Sequence, residues 1–153
     1  NGIDTLYLGV VTGASIDDIL DFRANSAFIG TSTESIAIIS DSDVTSSATP
    51  TGLSDGVTYS VSGLTTSTNI LILTGDYFDD ALALSTATTI FGDCATGNVL
   101  IVYAASSTGN SRIAVATLSE AGDVTAATDV AILVGLTVTE ASLGFSTSDF
   151  LLD

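Results

Sequence analysis

Short apolar segments follow one another along the chain, most of them ended by Gly, Asn, Asp or Ser, which is the rhythm of strands and turns. The pattern predicts strands over Thr5–Val11, Ile36–Ser40, Val57–Val61, Ile70–Thr74, Val99–Ala105, Arg112–Leu118 and Val130–Val134. Two of them alternate. Val57, Tyr59 and Val61 oppose Thr58, Ser60 and Ser62, and Ile113, Val115 and Thr117 oppose Ala114, Ala116 and Leu118, where both faces are apolar. The others are apolar throughout, as strands covered on both faces are. Each of the four Tyr residues (Tyr7, Tyr59, Tyr77 and Tyr103) reads as a strand residue that packs its ring and exposes its hydroxyl.

Three segments share a pattern: Asn69-Ile70-Leu71-Ile72-Leu73, Asn98-Val99-Leu100-Ile101-Val102 and Asp129-Val130-Ala131-Ile132-Leu133. A solenoid repeat is one reading. Three central strands of one core is the other, and it is favoured because the linking segments do not resemble one another. Thr108-Gly109-Asn110 makes Val99–Leu118 a hairpin, and Glu120-Ala121-Gly122-Asp123 is a further turn. Tyr77 to Ile90 reads as a helix capped by Asp76, with Asp79 in a capping-box position and Phe78, Ala81, Leu82 and Thr86 as its buried stripe. Ser15–Leu20 reads as a helical turn or an irregular strand entry. The Ser/Thr/Ala-rich run Thr45–Thr51 around Pro50 reads as a mobile loop too short to divide the chain. The expected fold is mainly β: one domain over residues 1–153, a β-sandwich or β-roll-like architecture with one or two short helices.

The chain has 153 residues, 46% of them hydrophobic, and a net charge of -16 from 18 acidic and only two basic residues, Arg23 and Arg112. That apolar content supports a packed core despite the charge. A nucleic-acid surface needs several Lys or Arg to displace counterions, and anionic membranes need the same, so both partners are excluded. No run of 18 apolar residues spans a membrane. The acidic excess calls for cations to quiet self-repulsion, and calcium suits clustered Asp oxygens. The chain contains no Met, and Asn1-Gly2-Ile3-Asp4 does not open a signal peptide, so processing from a precursor or excision from a longer chain is expected. Cys94 stands alone, either as a small core residue or in a disulfide between chains.

Both ends carry a resemblance. Gly2-Ile3-Asp4-Thr5-Leu6-Tyr7 fits the tail of a G-G-x-G-x-D-x-U-x calcium-binding nonapeptide, and Asp17-Asp18-Ile19-Leu20-Asp21-Phe22 looks like the D-x-I-x-D-F segment that follows such repeats. Asp149-Phe150-Leu151-Leu152 is similar to the acidic-then-apolar ending of type I secretion substrates, after a Ser/Thr-rich stretch, although Asp153 departs from the simplest pattern. The chain thus resembles C-terminal regions of RTX-like, type I secreted bacterial proteins of the surface-layer or filament type. The resemblance implies an exported, extracellular or cell-surface β-rich domain with a secretion-signal-like tail at Asp149, Phe150, Leu151 and Leu152. It implies no catalytic residue.

Asp4, Asp17, Asp18, Asp21, Asp41 and Asp43 are the candidate calcium ligands. Asp41-Ser42-Asp43 is the neatest loop, able to place two carboxylates on one ion. Turn formation is the rival role for such residues, and Asp76 and Asp79 fit helix capping better than metal binding. With no His, neither a Ser-His-Asp nor a Cys-His arrangement forms, and zinc sites built on His are excluded. No Lys exists for a phosphate loop. Paired carboxylates leave glycoside hydrolysis as the one enzymatic reading, ranked last. The expectation is a non-enzymatic structural subunit of an extracellular filament, sheath or surface layer, a homo-oligomer or polymer that self-associates through strand edges and is stabilised by calcium. The alternative is the C-terminal export and folding domain of a larger RTX-type adhesin or hydrolase.

Overall fold

The computed structural model describes residues 4–6, 19–23, 35–39, 44–46, 58–61, 68–73, 81, 88–90, 97–104, 110–120, 123–135 and 145–152. They are mainly β. The strands are β1 (Asp4–Leu6), β2 (Leu20–Asp21), β3 (Ile36–Ile39), β4 (Val44–Ser46), β5 (Thr58–Val61), β6 (Ile70–Leu73), β7 (Thr88–Ile90), β8 (Gly97–Ala104), β9 (Ser111–Leu118), β10 (Val124–Leu133) and β11 (Phe150–Leu151). A six-stranded sheet of order β1-β10-β9-β8-β6-β3 is accompanied by the pair β11-β2 and by the three-stranded sheet β4-β5-β7.

Each of the seven sequence-predicted strands overlaps an observed one, and the predicted positions 7–11, 40, 57, 74 and 105 lie outside the described residues. The central strands show why. Ile70 to Leu73 and Val99 to Tyr103 are at most 1% exposed. Unbroken apolar runs of this kind are stable only with cover on both faces. β6 and β8 pair in parallel, and β3 joins β6 in parallel as well. β8 and β9 form the expected antiparallel hairpin, in register from Gly97 opposite Leu118 to Ala104 opposite Ser111. β9 is therefore the one strand of the large sheet that runs against the rest, since β10 is antiparallel to β9 and β1 is parallel to β10.

The repeat-like segments occupy β6, β8 and β10. β6 and β8 are neighbours, but β9 separates β8 from β10. Asp129 stands opposite Ala114, which faces Ile101, so Asp129 is level with the middle of β8 and not with Asn98. The shared pattern reflects shared burial and does not mark a repeated structural unit.

Parallel neighbours require long crossovers, usually helical. Here the crossovers contain strands. β4 and β5 lie between β3 and β6, β7 lies between β6 and β8, and β5 and β7 pair in parallel to join the two connections. This corrects two expectations. The predicted helix ends in strand, because Thr88–Ile90 pair with β5; of the earlier part, Ala81 is described, with helical backbone and 5% exposure. Thr45 and Ser46, assigned to a mobile loop, pair with Ser60 and Tyr59 in β4. In both places β-branched Thr favours the strand over the pattern that suggested otherwise. The helical element that the described residues do contain besides Ala81 is a 3-10 turn, Thr147–Asp149.

A core lies on the face of the large sheet that bears Ile70, Ile72, Leu100, Val102 and Ile113. Leu20, Phe145, Phe150 and Leu152 pack against it. Register shifts in β10 fall between Val124 and Ala126 and between Asp129 and Ala131. The second turns Val130 and Ala131 both toward this core while leaving Asp129 on the opposite face, as a bulge allows. Asn110 closes one end by accepting from the Gly135 amide at 3.1 Å, and Gly135 has φ +77°, where a side chain would be strained.

Phe150 and Leu152 are 0% exposed, whereas Thr147 is exposed. Phe150→Ala is expected to lower unfolding free energy by about 3–5 kcal/mol, and Thr147→Ala by no more than about 0.5 kcal/mol. Urea denaturation followed by Tyr fluorescence and circular dichroism measures both.

Candidate functional site

Charge placed within apolar strands must find a partner. Asp129 in β10 finds three. Its Oδ1 accepts from the Tyr103 hydroxyl at 2.5 Å, and its Oδ2 accepts from Arg112 Nη1 at 2.8 Å and from the Ala81 amide at 3.5 Å. The side chains of Arg112 and Asp129 are 20% and 7% exposed, and Tyr103 is 0% exposed. The cluster spans β8, β9 and β10, with Tyr103 directly opposite Arg112 in the ladder. Through the Ala81 amide it also fastens the β6–β8 crossover to the sheet, beside which β7 approaches β10. The expectation that each Tyr exposes its hydroxyl is corrected for Tyr103, whose hydroxyl is turned inward to satisfy a carboxylate. The sequence signal was available: Asp129 and Arg112 are the charged residues in strands otherwise built from uncharged ones.

This arrangement is chemically closed. Both carboxylate oxygens of Asp129 accept hydrogen bonds from within the chain, and the guanidinium neutralises it. It holds three strands together.

The sequence-predicted calcium ligands are distributed differently. Asp17, Asp18, Asp41 and Asp43 lie outside the described residues, as does Cys94. Asp4 lies in β1, opposite Ala131. Asp21 is exposed at the end of β2, and both its oxygens are taken by Arg23: Oδ1 by the amide at 3.0 Å and Nε at 2.9 Å, Oδ2 by Nη2 at 2.6 Å. These hydrogen bonds from the Arg23 side chain and then its amide hold the Asp21 carboxyl at about 2, below its ordinary 3.8. Among the described residues, no group of three or more acidic or Cys side chains is placed to hold a metal ion.

The secretion-signal-like residues are folded into the structure. Phe150 and Leu152 enter the core, Leu151 is half-buried, and Asp149 caps the 3-10 turn. Asp149 Oδ2 accepts from the Ser146 amide at 2.6 Å and its hydroxyl at 2.9 Å, and the Asp149 amide donates to the Ser146 carbonyl at 3.1 Å. β11 pairs in parallel with β2, Phe150 opposite Leu20, and the Phe22 amide extends the ladder to the Leu151 carbonyl at 2.7 Å.

The remaining feature is an edge. β3 (Ile-Ala-Ile-Ile) borders the large sheet, bears no charge, and leaves Ile38 51% exposed. The opposite border, β1, is shorter and carries Asp4. Charge and short length blunt an edge, and β3 has neither the charge nor the proline that usually does so. Comparison with protein-family models, with curated proteins and with solved structures finds no match.

Asp129→Ala is expected to cost about 3–5 kcal/mol, because it leaves a guanidinium unpaired against a largely buried surface, and Tyr103→Phe about 1.5–3 kcal/mol. A double-mutant cycle by urea denaturation separates the two. For the exposed pair, the carboxyl of Asp21 should titrate near pH 2 by NMR and return toward 3.8 in Arg23→Ala. A lowered folded value means that the pair supports the fold above pH 3.8 and that this support is lost as pH falls through about 2. With about half of each side chain exposed, the pair is screened by solvent.

Proposed function

We propose that the protein is a non-enzymatic structural subunit of an extracellular filament, sheath or surface layer, which self-associates through strand edges with calcium as counterion. The observation that carries this reading is β3, an apolar border strand with Ile38 half exposed. An uncharged edge offers main-chain donors and acceptors in register for another strand, and a second copy supplies one of matching character. The closed Asp129 cluster is consistent with this, since its polar groups are spent on cohesion.

Association must overcome the charge of -16 carried by each copy. At low ionic strength the repulsion reaches tens of ångströms, and at physiological salt it falls away within roughly 8 Å. Salt therefore permits association, and calcium promotes it further by binding carboxylates outside the Arg23-occupied Asp21.

Sedimentation velocity and electron microscopy of the purified protein with millimolar calcium should detect polymers, which chelation at low salt disperses. Ile38→Lys places a charge on the edge and removes the remaining apolar burial, about 0.7–1.5 kcal/mol for a side chain already half buried, raising the concentration needed for assembly roughly three- to tenfold before the added charge is counted. A wild-type chain that stays monomeric at high concentration, or an Ile38→Lys chain that assembles as readily, would remove the basis of this reading. Titration calorimetry showing neither heat nor stabilisation would remove the calcium component alone.

A further inference from the structure

We propose that β3 pairs antiparallel with β3 of a second copy about a two-fold axis at Ala37, giving a dimer in which the two large sheets continue as one. This deepens the assembly reading by naming the partner strand and its register, and it rests on that reading.

The direction of the main-chain groups along β3 sets what the edge accepts. The Ser35 carbonyl accepts from the Ile70 amide at 3.0 Å, and Ile36 to Ile39 run in register with Ile70 to Leu73. In a parallel ladder this turns the amide and carbonyl of Ala37 toward β6, and those of Ile36 and Ile38 away from it. Among the described residues no strand lies on that outer side. The edge is also held from behind. Asn69, 6% exposed, accepts from the Ser35 amide through Oδ1 at 2.9 Å, and its own amide donates to the Ser35 carbonyl at 3.1 Å. The start of β3 is thereby fixed against β6, with the outward groups of Ile36 and Ile38 set in place.

An antiparallel copy of β3 meets this pattern with the same residues on both sides. With Ala37 opposite its counterpart, Ile36 lies opposite the copy's Ile38 and exchanges both hydrogen bonds with it, and the symmetric pair does the same. A shift of one residue would set Ile36 and Ile38 against inward-turned groups. The side chains agree with this register. Ile36 and Ile38 share the face of Ile70 and Ile72, and Ile36 packs against the core there. Ile38 is 51% exposed on that same face. In the dimer each Ile38 lies beside the copy's Ile36, so the border of one core covers the border of the other.

Charge favours the same occupant. Each copy carries -16, so two copies approach best along a strand without carboxylates, and Ile36–Ile39 has none. The opposite border, β1, brings Asp4 to any contact it makes. The paired length is roughly 13 Å, so the contact is smaller than the roughly 1,200 Å² of a permanent interface, and the dimer forms at high concentration. A two-fold contact closes on itself, which makes the dimer the unit that longer assemblies add through another surface.

The test is disulfide trapping in full-length chains of a Cys94→Ser background. Across the proposed axis residue 37 lies about 4.5 Å from its counterpart between Cα atoms, within disulfide range. Residue 35 lies opposite residue 39 of the copy, and roughly 13 Å from its own counterpart. Ala37→Cys, Ser35→Cys and Ile39→Cys chains are each concentrated with calcium, oxidised, and run on a denaturing, non-reducing gel. The proposal expects covalent dimers from Ala37→Cys, monomers from Ser35→Cys or Ile39→Cys alone, and dimers when those two are mixed. The mixture keeps the test in force if Ala37→Cys does not fold. Equal dimer yield from all three single variants overturns the register. Wild-type association by sedimentation velocity without trapping at 37, or in the mixture, overturns the two-fold pairing and leaves edge association standing. A wild-type chain that stays monomeric at high concentration overturns both.

Discussion

Two adjacent parallel strands with essentially no exposure on either face, Ile70–Leu73 and Val99–Tyr103, set the terms for everything around them. Their side chains alternate above and below the sheet, so cover is required in both directions. On one side it comes from distant parts of the chain: Leu20 near one end, and Phe145, Phe150 and Leu152 near the other. On the other side lies the crossover marked by Ala81, which the chain needs in any case to return from β6 to a parallel β8. The crossover is fixed by the same carboxylate that ties β10 to β8 and β9. Burial of two strands thus dictates both the long-range closure and the position of the polar cluster.

That cluster shows how a core accommodates charge. Asp129 would be expensive in the interior alone, and Arg112 and the Tyr103 hydroxyl answer it from two neighbouring strands. The register shift after Asp129 makes this possible, because the next residues turn to the apolar face while Asp129 keeps its place among its partners. A regular strand would have put Asp129, Ala131 and Leu133 on one face, driving the carboxylate into the apolar core or the two apolar side chains out of it. One irregularity therefore serves a hydrophobic requirement and an electrostatic one together.

The strands of the large sheet were legible in the sequence because their signal is continuous apolar character, which burial on two faces produces directly. The pieces that were not legible are short or ambiguous. β2 and β11 are two-residue strands defined by each other across almost the whole chain, and no local pattern encodes such a partner. Thr88–Ile90 sits at the end of a stretch with helical spacing and a capping Asp, and pairing with β5 decided its state. The Asp129 site was hard to read for a different reason: clustered acidic residues in polar stretches give the more conspicuous pattern, although charge there is easily solvated. The informative acid was the isolated one, set among uncharged residues of a long strand. Asp21, drawn from a cluster, proved to be occupied by Arg23 two residues away.

The two cations give the last step. Arg23 is bound to Asp21 and Arg112 to Asp129, so both of the chain's basic side chains are committed internally. The net charge of -16 is then left with no uncommitted Lys or Arg side chain to offset it. Direct recognition of phosphates, acidic polymers or anionic lipid is disfavoured by the same accounting. On the proposed assembly reading, the β3 edge supplies neutral surface and main chain for contact with another copy. A net charge of -16 would then make association conditional on ionic surroundings: repelled when counterions are scarce, allowed when they are plentiful. In that proposal the switch is electrostatic screening, and no dedicated moving part is required.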